Sequence, residues 1–290
     1  MPQQKRHFQK QALTPEKLLK KYESNGLIVP DDQRDLALKY FRFVGAYRLK
    51  GYMFDHFDER TKQFTQNYEL DDLIQQYEFD RELRLITIDA IDRIEVAVRA
   101  SISNHLSLSH SPHWFLDKTL FKSTRHWDYA KLCKKLEEEV RNGRKKRFIQ
   151  HYYDHYEFPE YPPSWAMSEI ISFGFWSKTY AILKNPNDRK AISMKFEIDQ
   201  PEVFRSWVHA LSVLRNHAAH HSQILRTPLR VKPTNYKRKQ IRFHRPDQFA
   251  SMVVIINYFL GQIGLNDGWD KQLERLFESY PKVDRADLGL

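Results

Sequence analysis

The chain has 290 residues, of which 41% are hydrophobic and 14% aromatic, and its formal net charge is +10. This composition suffices for one substantial core and excludes a disordered polyelectrolyte, while the charge favours polyanionic partners such as nucleic acid or an anionic membrane surface. Cys133 is the only cysteine, which excludes intramolecular disulfides and multi-cysteine metal sites and fits a reducing, cytoplasmic compartment.

The N-terminal third of the chain is predicted to be helical, because glycine is scarce and apolar side chains recur every three or four positions. A first helix should begin with Thr14 as its N-cap and Pro15 in its first turn, and end near Asn25. A second helix is expected over residues 32–54, with a break near Gly45. The polar segment around residues 58–67 indicates a turn.

Residues 70–107 contain neither glycine nor proline and carry an apolar stripe with helical spacing. The predicted core-facing positions are Leu83, Ile86 or Thr87, Ala90, Ile94, Ala97 and Ile102. An unbroken helix would extend roughly 57 Å at about 1.5 Å per residue. Because that is long for a single element, we expect a bend or two consecutive helices.

Further helices are predicted over four segments: about 127–150, 164–183 with a distortion at Gly174, 201–224, and about 247–263. The four strongest helices of the chain lie between residues 70 and 263, which indicates an all-α fold built on a helical bundle. We expect three regions: an N-terminal helical extension over 1–68, the bundle over 69–265, and a C-terminal tail over 266–290.

No membrane association is expected. The most apolar stretch, residues 249–265, contains Asn257 and Gln262 and is too short for a membrane span, so it indicates a buried helix. The N-terminal sequence "MPQQKRHFQKQALTPEK" has no apolar run, so no signal peptide is expected.

An irregular basic loop that could hold a short strand pair is predicted over residues 227–249. No carboxylate occurs between Glu202 and Asp247, while the segment carries many cations and the aromatic residues Tyr236 and Phe243. Cations that neutralise phosphates and aromatics that stack on unpaired bases are typical of single-stranded RNA binding, although a solvated basic loop is the alternative. The candidate RNA-binding residues are Arg226, Arg230, Lys232, Lys237, Arg238, Lys239, Arg242 and Arg245, with Arg48 and Lys50 as further candidates that could instead cap the N-terminal region.

The segment "VLRNHAAHHSQI", residues 213–224, allows three interpretations. His217 and His221 are four residues apart, as metal-binding histidines on a helix are, but no nearby residue supplies a third ligand except a distant Glu95 or Glu169. No metal or cofactor is therefore predicted. Alternatively, the histidines could simply hydrogen-bond to their neighbours.

The third interpretation is catalysis of RNA cleavage without metal. This chemistry requires a group that exchanges a proton near neutral pH and a fixed cation on the phosphate, roles that suit histidine and arginine. Asn216 and His220 are four residues apart and share a helix face. Arg215 and His220 are five apart, about 140° around an ideal helix. Arg215 must then reach around the helix or act with a second subunit of a symmetric dimer.

Four stretches resemble the abortive-infection, Abi-like (AbiD/AbiF type) branch of the HEPN superfamily of helical ribonucleases. They are "FRFVGAYRLKGY" (41–52), "DAIDRIEVAVRASISNHLS" (89–107), "PPSWAMSEIISFGFWSKTY" (162–180) and the Arg-x4-His motif "RNHAAH" (215–220). The resemblance implies a HEPN-type four-helix bundle. From the sequence pattern we expect the N-terminal extension before this bundle and the basic loop before its last helix. The resemblance also implies metal-independent RNA cleavage by 2′-hydroxyl attack, frequent homodimers, and a role in antiphage defence or a toxin–antitoxin pair.

By the same resemblance, Arg215 clamps the phosphate, Asn216 orients by hydrogen bonding and His220 is the general acid or base. The implied partners are an RNA substrate and a small structured regulatory RNA or an antitoxin. His217 and His221 could assist His220.

Several other residues could support this site. Arg99 could form a second polar cluster with His105, or simply an ion pair with Glu95 four residues away. Trp165 and Trp176 lie in a family stretch, but their spacing is more typical of core residues. The run "RNGRKKR" (141–147) indicates a solvated helix end that could contact RNA.

Three other functions remain open from the sequence. The first is a non-catalytic RNA-binding or RNA-sensing protein. The second is nucleotidyl transfer, with tyrosines near the motif accepting the modification. The third is metal-dependent hydrolysis.

Overall fold

The computed structural model describes residues 7, 9, 11–58, 60–264 and 268–290. Within them, helices dominate and the strands are only two residues long, which confirms the all-α class. The expectation that no signal peptide is present falls largely on residues 1–6, 8 and 10, outside the described residues.

The chain divides into two compact units. The first unit comprises residues 1–82 and 277–284. Its helices are α1 (Pro15–Ser24), α2 (Arg34–Tyr40) and α3 (Ala46–Met53), followed by the beginning of α4 (Leu70–Ser109). Strand β1 (Leu27–Ile28) pairs in parallel with β4 (Tyr68–Glu69), and β2 (Phe57–Asp58) pairs antiparallel with β3 (Gln63–Phe64).

The predicted start and break of the N-terminal helices are confirmed. The Thr14 hydroxyl accepts a hydrogen bond from the Lys17 N–H at 3.3 Å, and Pro15 occupies the first turn of α1. Between α2 and α3 the chain forms a π-helical turn that ends at Gly45, whose φ of 91° is accessible to glycine without strain. The predicted second helix is therefore interrupted at Gly45, as the sequence indicates.

Helix α4 is continuous over 40 residues, so the alternative of two consecutive helices is wrong. With no glycine or proline in the segment, the helical hydrogen bonds continue, and a buried stripe follows one side of the helix. Its fully buried members from residue 83 onward include Leu83, Thr87, Ala90, Ile91, Ile94, Val98, Ile102 and Leu106. Thr87 and Val98, rather than Ile86 and Ala97, occupy the core positions, because the stripe follows 3.6 residues per turn.

The second unit comprises residues 83–276 and 285–290. After α4, its elements are α5 (Tyr129–Gly143), α6 (Arg147–His155), α7 (Ser164–Met167), α8 (Phe173–Ile182), α9 (Pro186–Met194), α10 (Pro201–Ala219), α11 (Phe249–Ile263) and α12 (Trp269–Ser279). Aromatic rings form its core around α10. The centroid of the Phe204 ring lies 4.8 Å from the centroid of the Tyr180 ring and 5.3 Å from that of the Phe196 ring.

Two predicted helices are each divided in two. The segment 127–150 is broken after Gly143, which packs so closely against Ile170 that a Cβ at this position would lie 2.9 Å from the Ile170 Cγ2 atom. The segment 164–183 is broken at 168–172 and not at Gly174, which lies inside α8. Helix α12 lies in the region predicted only as a tail.

The loop between α10 and α11 is anchored at both ends. The Leu229 N–H donates to the Asp247 carbonyl at 2.6 Å, and Tyr236 forms an antiparallel bridge with Ile241 around a short turn at Lys237–Lys239. The predicted strand pair is thus present as a single bridge.

Candidate functional site

Helix α4 presents four polar side chains at four-residue intervals: Glu95, Arg99, Ser103 and Ser107. Residues at this spacing are neighbours along a helix surface, so they form a continuous row, which we call the α4 polar row. Glu95 and Ser103 are buried, and Arg99 is half-buried. Because buried polar groups need partners, the row determines what packs against this side of α4.

Glu95 joins two arginines. One carboxylate oxygen forms an ion pair with Arg99, and the other lies 3.6 Å from the Nε atom of Arg215, which reaches across from α10. The Glu95–Arg99 ion pair expected from the sequence is confirmed, and Arg215 is an additional partner. The Arg215 side chain remains 41% exposed, so it is held on one side and open to solvent on the other.

Arg99 lies among charges of both signs. Burial lowers its pKa, the attraction of Glu169 raises it, and repulsion from Arg215 lowers it further, with a net lowering below the usual value. The Arg99 Nη1 group donates to the Ser168 carbonyl at 3.2 Å, and Lys146 Nζ donates to the Glu169 carbonyl at 3.1 Å. Arg99 and Lys146 thus both bind backbone carbonyls just after α7, and Arg215 is linked to Arg99 through Glu95. Lys146 belongs to the basic run 141–147, so part of that run lies near the end of α7.

The short helix α7 is attached to the α4 polar row at both ends. At its start, the Ser164 hydroxyl lies 2.7 Å from that of Ser103 and 2.8 Å from that of Ser107. Just beyond its end, Ser168 accepts the hydrogen bond from Arg99. Between these attachments Trp165 is 54% exposed, so its prediction as a core residue is wrong, whereas the prediction for Trp176 is confirmed by its 1% exposure.

Helix α10 ends at Ala219, earlier than the predicted residue 224. The Ser222 N–H donates to the His217 carbonyl and the His221 N–H to the Ala218 carbonyl, a Schellman motif that closes the helix. This motif requires one residue in the left-handed backbone conformation, and His221 has that conformation, with φ of 57°. The three histidines therefore have three different backbone environments.

His220 is the C-cap residue, directly after the end of α10. Its N–H donates to the Asn216 carbonyl at 3.0 Å, so His220 is one helical turn beyond Asn216, and both residues are exposed. His217 is half-buried, and burial together with the nearby charge of Arg230 lowers its pKa, which favours a neutral imidazole at neutral pH.

The backbone conformation at His221 does not support a metal site formed by His217 and His221. The left-handed conformation of His221 turns the backbone away from helical geometry, so the spacing of four no longer places both side chains on one helix face. Among the described residues, no group of three or more His, Cys, Asp or Glu side chains is arranged to hold a metal ion.

The predicted association of Arg99 with His105 is wrong. His105 Nε2 lies 2.9 Å from one oxygen of Asp188, and His110 Nε2 lies 3.0 Å from the other. Burial raises the pKa of Asp188, but the hydrogen bonds from both histidines outweigh this effect, so the pKa is lowered. Asp188 and His110 are absent from the sequence-based candidates, because no local pattern connects residues 78 positions apart.

The basic loop contains two kinds of cation. The first kind pairs with carboxylates that lie outside the acid-free segment: Arg238 with Asp199, Lys239 with Glu197 at 3.5 Å, Arg226 with Asp287 at 3.8 Å. The second kind is exposed and makes no ion pair within the described part of the chain; it comprises Arg230, Lys232, Lys237, Arg242 and Arg245. These five exposed cations remain available for an anionic ligand.

Tyr236 is not available for base stacking, contrary to the prediction. Its side chain is 1% exposed, its hydroxyl donates to Asp199 Oδ1 at 2.7 Å, and its ring packs against Trp207. Phe243 is half-buried and also contacts Trp207. These two aromatic residues hold the loop on α10.

The other RNA-binding candidates, Arg48 and Lys50, lie on α3 in the first unit, where Arg48 is exposed and Lys50 half-buried.

A family model described as Abi-like protein matches residues 39–226. The chain belongs to the Abi-like family. The matched segment includes Glu95, Arg99 and Trp165 as well as Arg215–His220, and membership associates the chain with abortive infection, a form of phage defence. Comparisons with curated proteins and with solved structures gave no match. Within the described residues of this Abi-like chain, no helix is long and apolar enough to cross a membrane.

Proposed function

We propose that this Abi-like protein is a metal-independent endoribonuclease of the HEPN type that acts in antiphage defence. The observation that supports it is the attachment of Arg215 to a buried carboxylate, five residues before the exposed His220. A fixed cation and an exposed imidazole are the two groups that metal-free RNA cleavage requires.

In the proposed reaction the RNA 2′-hydroxyl attacks the adjacent phosphorus. The O2′–P bond forms, the P–O5′ bond breaks, and the products are a 2′,3′-cyclic phosphate and a 5′-hydroxyl. His220 takes the 2′-hydroxyl proton or gives a proton to the leaving 5′-oxygen. Arg215 stabilises the negative charge on the phosphoryl oxygens, and Asn216 donates a hydrogen bond that orients the phosphate.

Glu95 is a positioning residue in this scheme. It is 3% exposed and contacts Arg215 through a single 3.6 Å approach to Nε, so Arg215 keeps other N–H groups for a phosphate. Arg99 shares the single negative charge of Glu95 with Arg215.

The reaction needs both a base and an acid, and the proposal assigns one imidazole per chain. A homodimer in which two copies of Arg215–His220 face one another supplies both groups. The five exposed loop cations would bind the RNA backbone on either side of the cleaved bond.

Purified protein incubated with total RNA in EDTA tests the proposal. The wild type should give fragments ending in cyclic phosphates, and His220→Ala and Arg215→Ala should each reduce cleavage at least about 100-fold. His244→Ala, which removes another exposed histidine of the same segment, is the matched control and should cleave normally. Full activity in both site variants would contradict the assignment.

The exposed cations also support a second candidate function, a non-catalytic RNA-binding protein regulated by a structured RNA or an antitoxin. That function predicts RNA binding that depends on Arg242 and Lys237, with no product at any protein concentration. Product analysis in the same experiment separates the two functions.

A further inference from the structure

Trp165 differs from the other tryptophans of the chain in its exposure. Trp114, Trp176, Trp207 and Trp269 are at most 1% exposed and Trp127 is half-buried, whereas more than half of Trp165 faces solvent. Tryptophan carries a large apolar surface, and exposing it gives no stability to the fold. Its exposure leaves the Trp165 ring open to contact with a ligand.

The backbone on both sides of Trp165 is fixed. The preceding residue, Ser164, is fully buried, bonded to two hydroxyls of α4, and its N–H donates to the Pro112 carbonyl at 2.9 Å. Three residues later, Ser168 donates its hydroxyl hydrogen to the Trp165 carbonyl at 2.7 Å and accepts from Arg99 through its own carbonyl. The indole is thus attached to a rigid segment, which lowers the entropic cost of using it as a binding surface.

The segment that carries Trp165 is bonded to a network of arginines and carboxylates. Arg99 contacts the residue that closes the turn after Trp165, Glu95 connects Arg99 to Arg215, and Lys146 donates to the next carbonyl along the chain. This continuous set of contacts connects the backbone of the Trp165 segment to the proposed phosphate clamp. An exposed aromatic ring on a segment tied to that clamp suits a ligand with a flat apolar group and a negative charge.

We infer that Trp165 is a stacking surface for an unpaired RNA base next to the phosphate held by Arg215. This inference rests on the proposed function and specifies its substrate as single-stranded RNA. In a duplex the base faces are covered by neighbouring pairs and cannot stack on a side chain. Stacking uses the π-face common to all bases, so Trp165 selects strandedness and not sequence.

Binding of a fluorescently labelled single-stranded RNA and of the matching duplex tests this inference. The measurement uses the His220→Ala background, so that the RNA stays intact. Trp165→Ala should raise the Kd for the single strand roughly 5- to 150-fold, the range that loss of one base–aromatic stack supports, and leave duplex binding unchanged. Trp165→Phe keeps a ring and should retain most of the affinity.

Tyr156→Ala is the matched control, because Tyr156 is 56% exposed and lies beyond the end of α6 that is remote from Lys146. It should bind single-stranded RNA normally. Urea unfolding of each variant confirms that affinity is compared between folded proteins.

Two results would overturn the inference while the proposed function stands: unchanged single-strand affinity in a folded Trp165→Ala variant, or an equal loss of affinity for duplex and single strand. If Trp165→Ala binds RNA normally but loses self-association in sedimentation, Trp165 belongs to a protein interface and the inference is wrong. If the protein neither cleaves nor binds RNA, the proposed function and the inference fail together.

Discussion

Glu95 shows how one buried carboxylate can hold two cations that are far apart in sequence. Arg99 is four residues away on the same helix, while Arg215 is on another helix of the second unit. A buried charge is stable only with partners, so Glu95 and its arginines depend on one another.

Replacing Glu95 with glutamine should therefore destabilise the protein. The amide keeps a hydrogen-bond acceptor but removes the carboxylate that pairs directly with the half-buried Arg99, so we expect a loss of about 1.5–3 kcal/mol in the free energy of unfolding. Urea denaturation measures it. Glu138→Gln, which alters an exposed pair with Lys135 at 3.2 Å, should change stability by less than about 0.5 kcal/mol. Equal stability of both variants would show that Glu95 does not hold Arg99.

The two hydrogen bonds to Asp188 lead to a pH-dependent prediction. The folded state has a lowered Asp188 pKa, so the stabilisation is fully present above the unfolded value of about 3.9 and is lost as pH falls through the folded value. Asp188→Asn should cost about 1.5–3 kcal/mol at pH 7, and the difference from wild type should shrink below about pH 3.9.

Thermal unfolding across this pH range measures the Asp188 effect. Asp89→Asn, whose exposed side chain pairs with Arg93 at 2.8 Å, is the control and should cost less than about 1 kcal/mol at either pH. A constant difference for Asp188→Asn at every pH would contradict the predicted linkage.

The spacing of residues along one helix predicts their side-chain contacts, whereas contacts between distant parts of the chain are not predicted by the sequence. The Glu95–Arg99 pair follows from a separation of four on a helix. The contacts of Glu95 with Arg215 and of Asp188 with His105 join residues more than 80 positions apart, and only the packing of the helices creates them.

Among the elements, helix starts were predicted better than helix ends. A proline in the first turn fixes φ at the position where the missing N–H costs nothing, and α1 and α10 both begin this way. The end of α10 depends on a histidine in a left-handed conformation, which carries no clear sequence signal, because glycine is the usual residue there.

The end of α5 depends on Gly143, and its replacement by alanine should destabilise the protein. Alanine favours a helix by about 1 kcal/mol over glycine, but its Cβ would lie 2.9 Å from Cγ2 and 3.3 Å from Cβ of the branched Ile170. Overpacking typically costs about 1–3 kcal/mol, so the net free energy of unfolding should fall.

Gly261→Ala is the comparison for Gly143→Ala, because a Cβ at Gly261, within α11, would meet nothing within 4 Å. That variant should gain up to about 0.5–1 kcal/mol in urea denaturation. The prediction for Gly143 is wrong if both variants become more stable.

Over the whole molecule, charge is distributed so that some cations maintain the fold and others face solvent. Arg238 and Lys239 connect the basic loop to Asp199 and Glu197, whereas Arg242 and Arg245 have no ion pair in the described residues. The sequence predicts the acid-free segment but not this division, because the neutralising acids lie outside it.

The division predicts different salt dependence of RNA binding. Each phosphate contact with a single strand contributes about −0.7 to the slope of log K against log salt concentration. Replacing both Arg242 and Arg245 with alanine should make the slope less negative by about 1.4, while replacing Arg238 and Lys239 should change it little. Fluorescence anisotropy over a salt series measures both slopes, and identical slopes would contradict the division.

The continuity of α4 has a consequence for dissecting this protein into fragments. Residues 70–82 of the helix belong to the first unit and residues 83–109 to the second, so the border between the units crosses an intact helical turn. A fragment cut there would leave helical N–H and C=O groups on both sides without their intrahelical partners. A fragment for separate expression should therefore keep all of α4, and protease digestion of the folded chain should not cleave at residues 82–83.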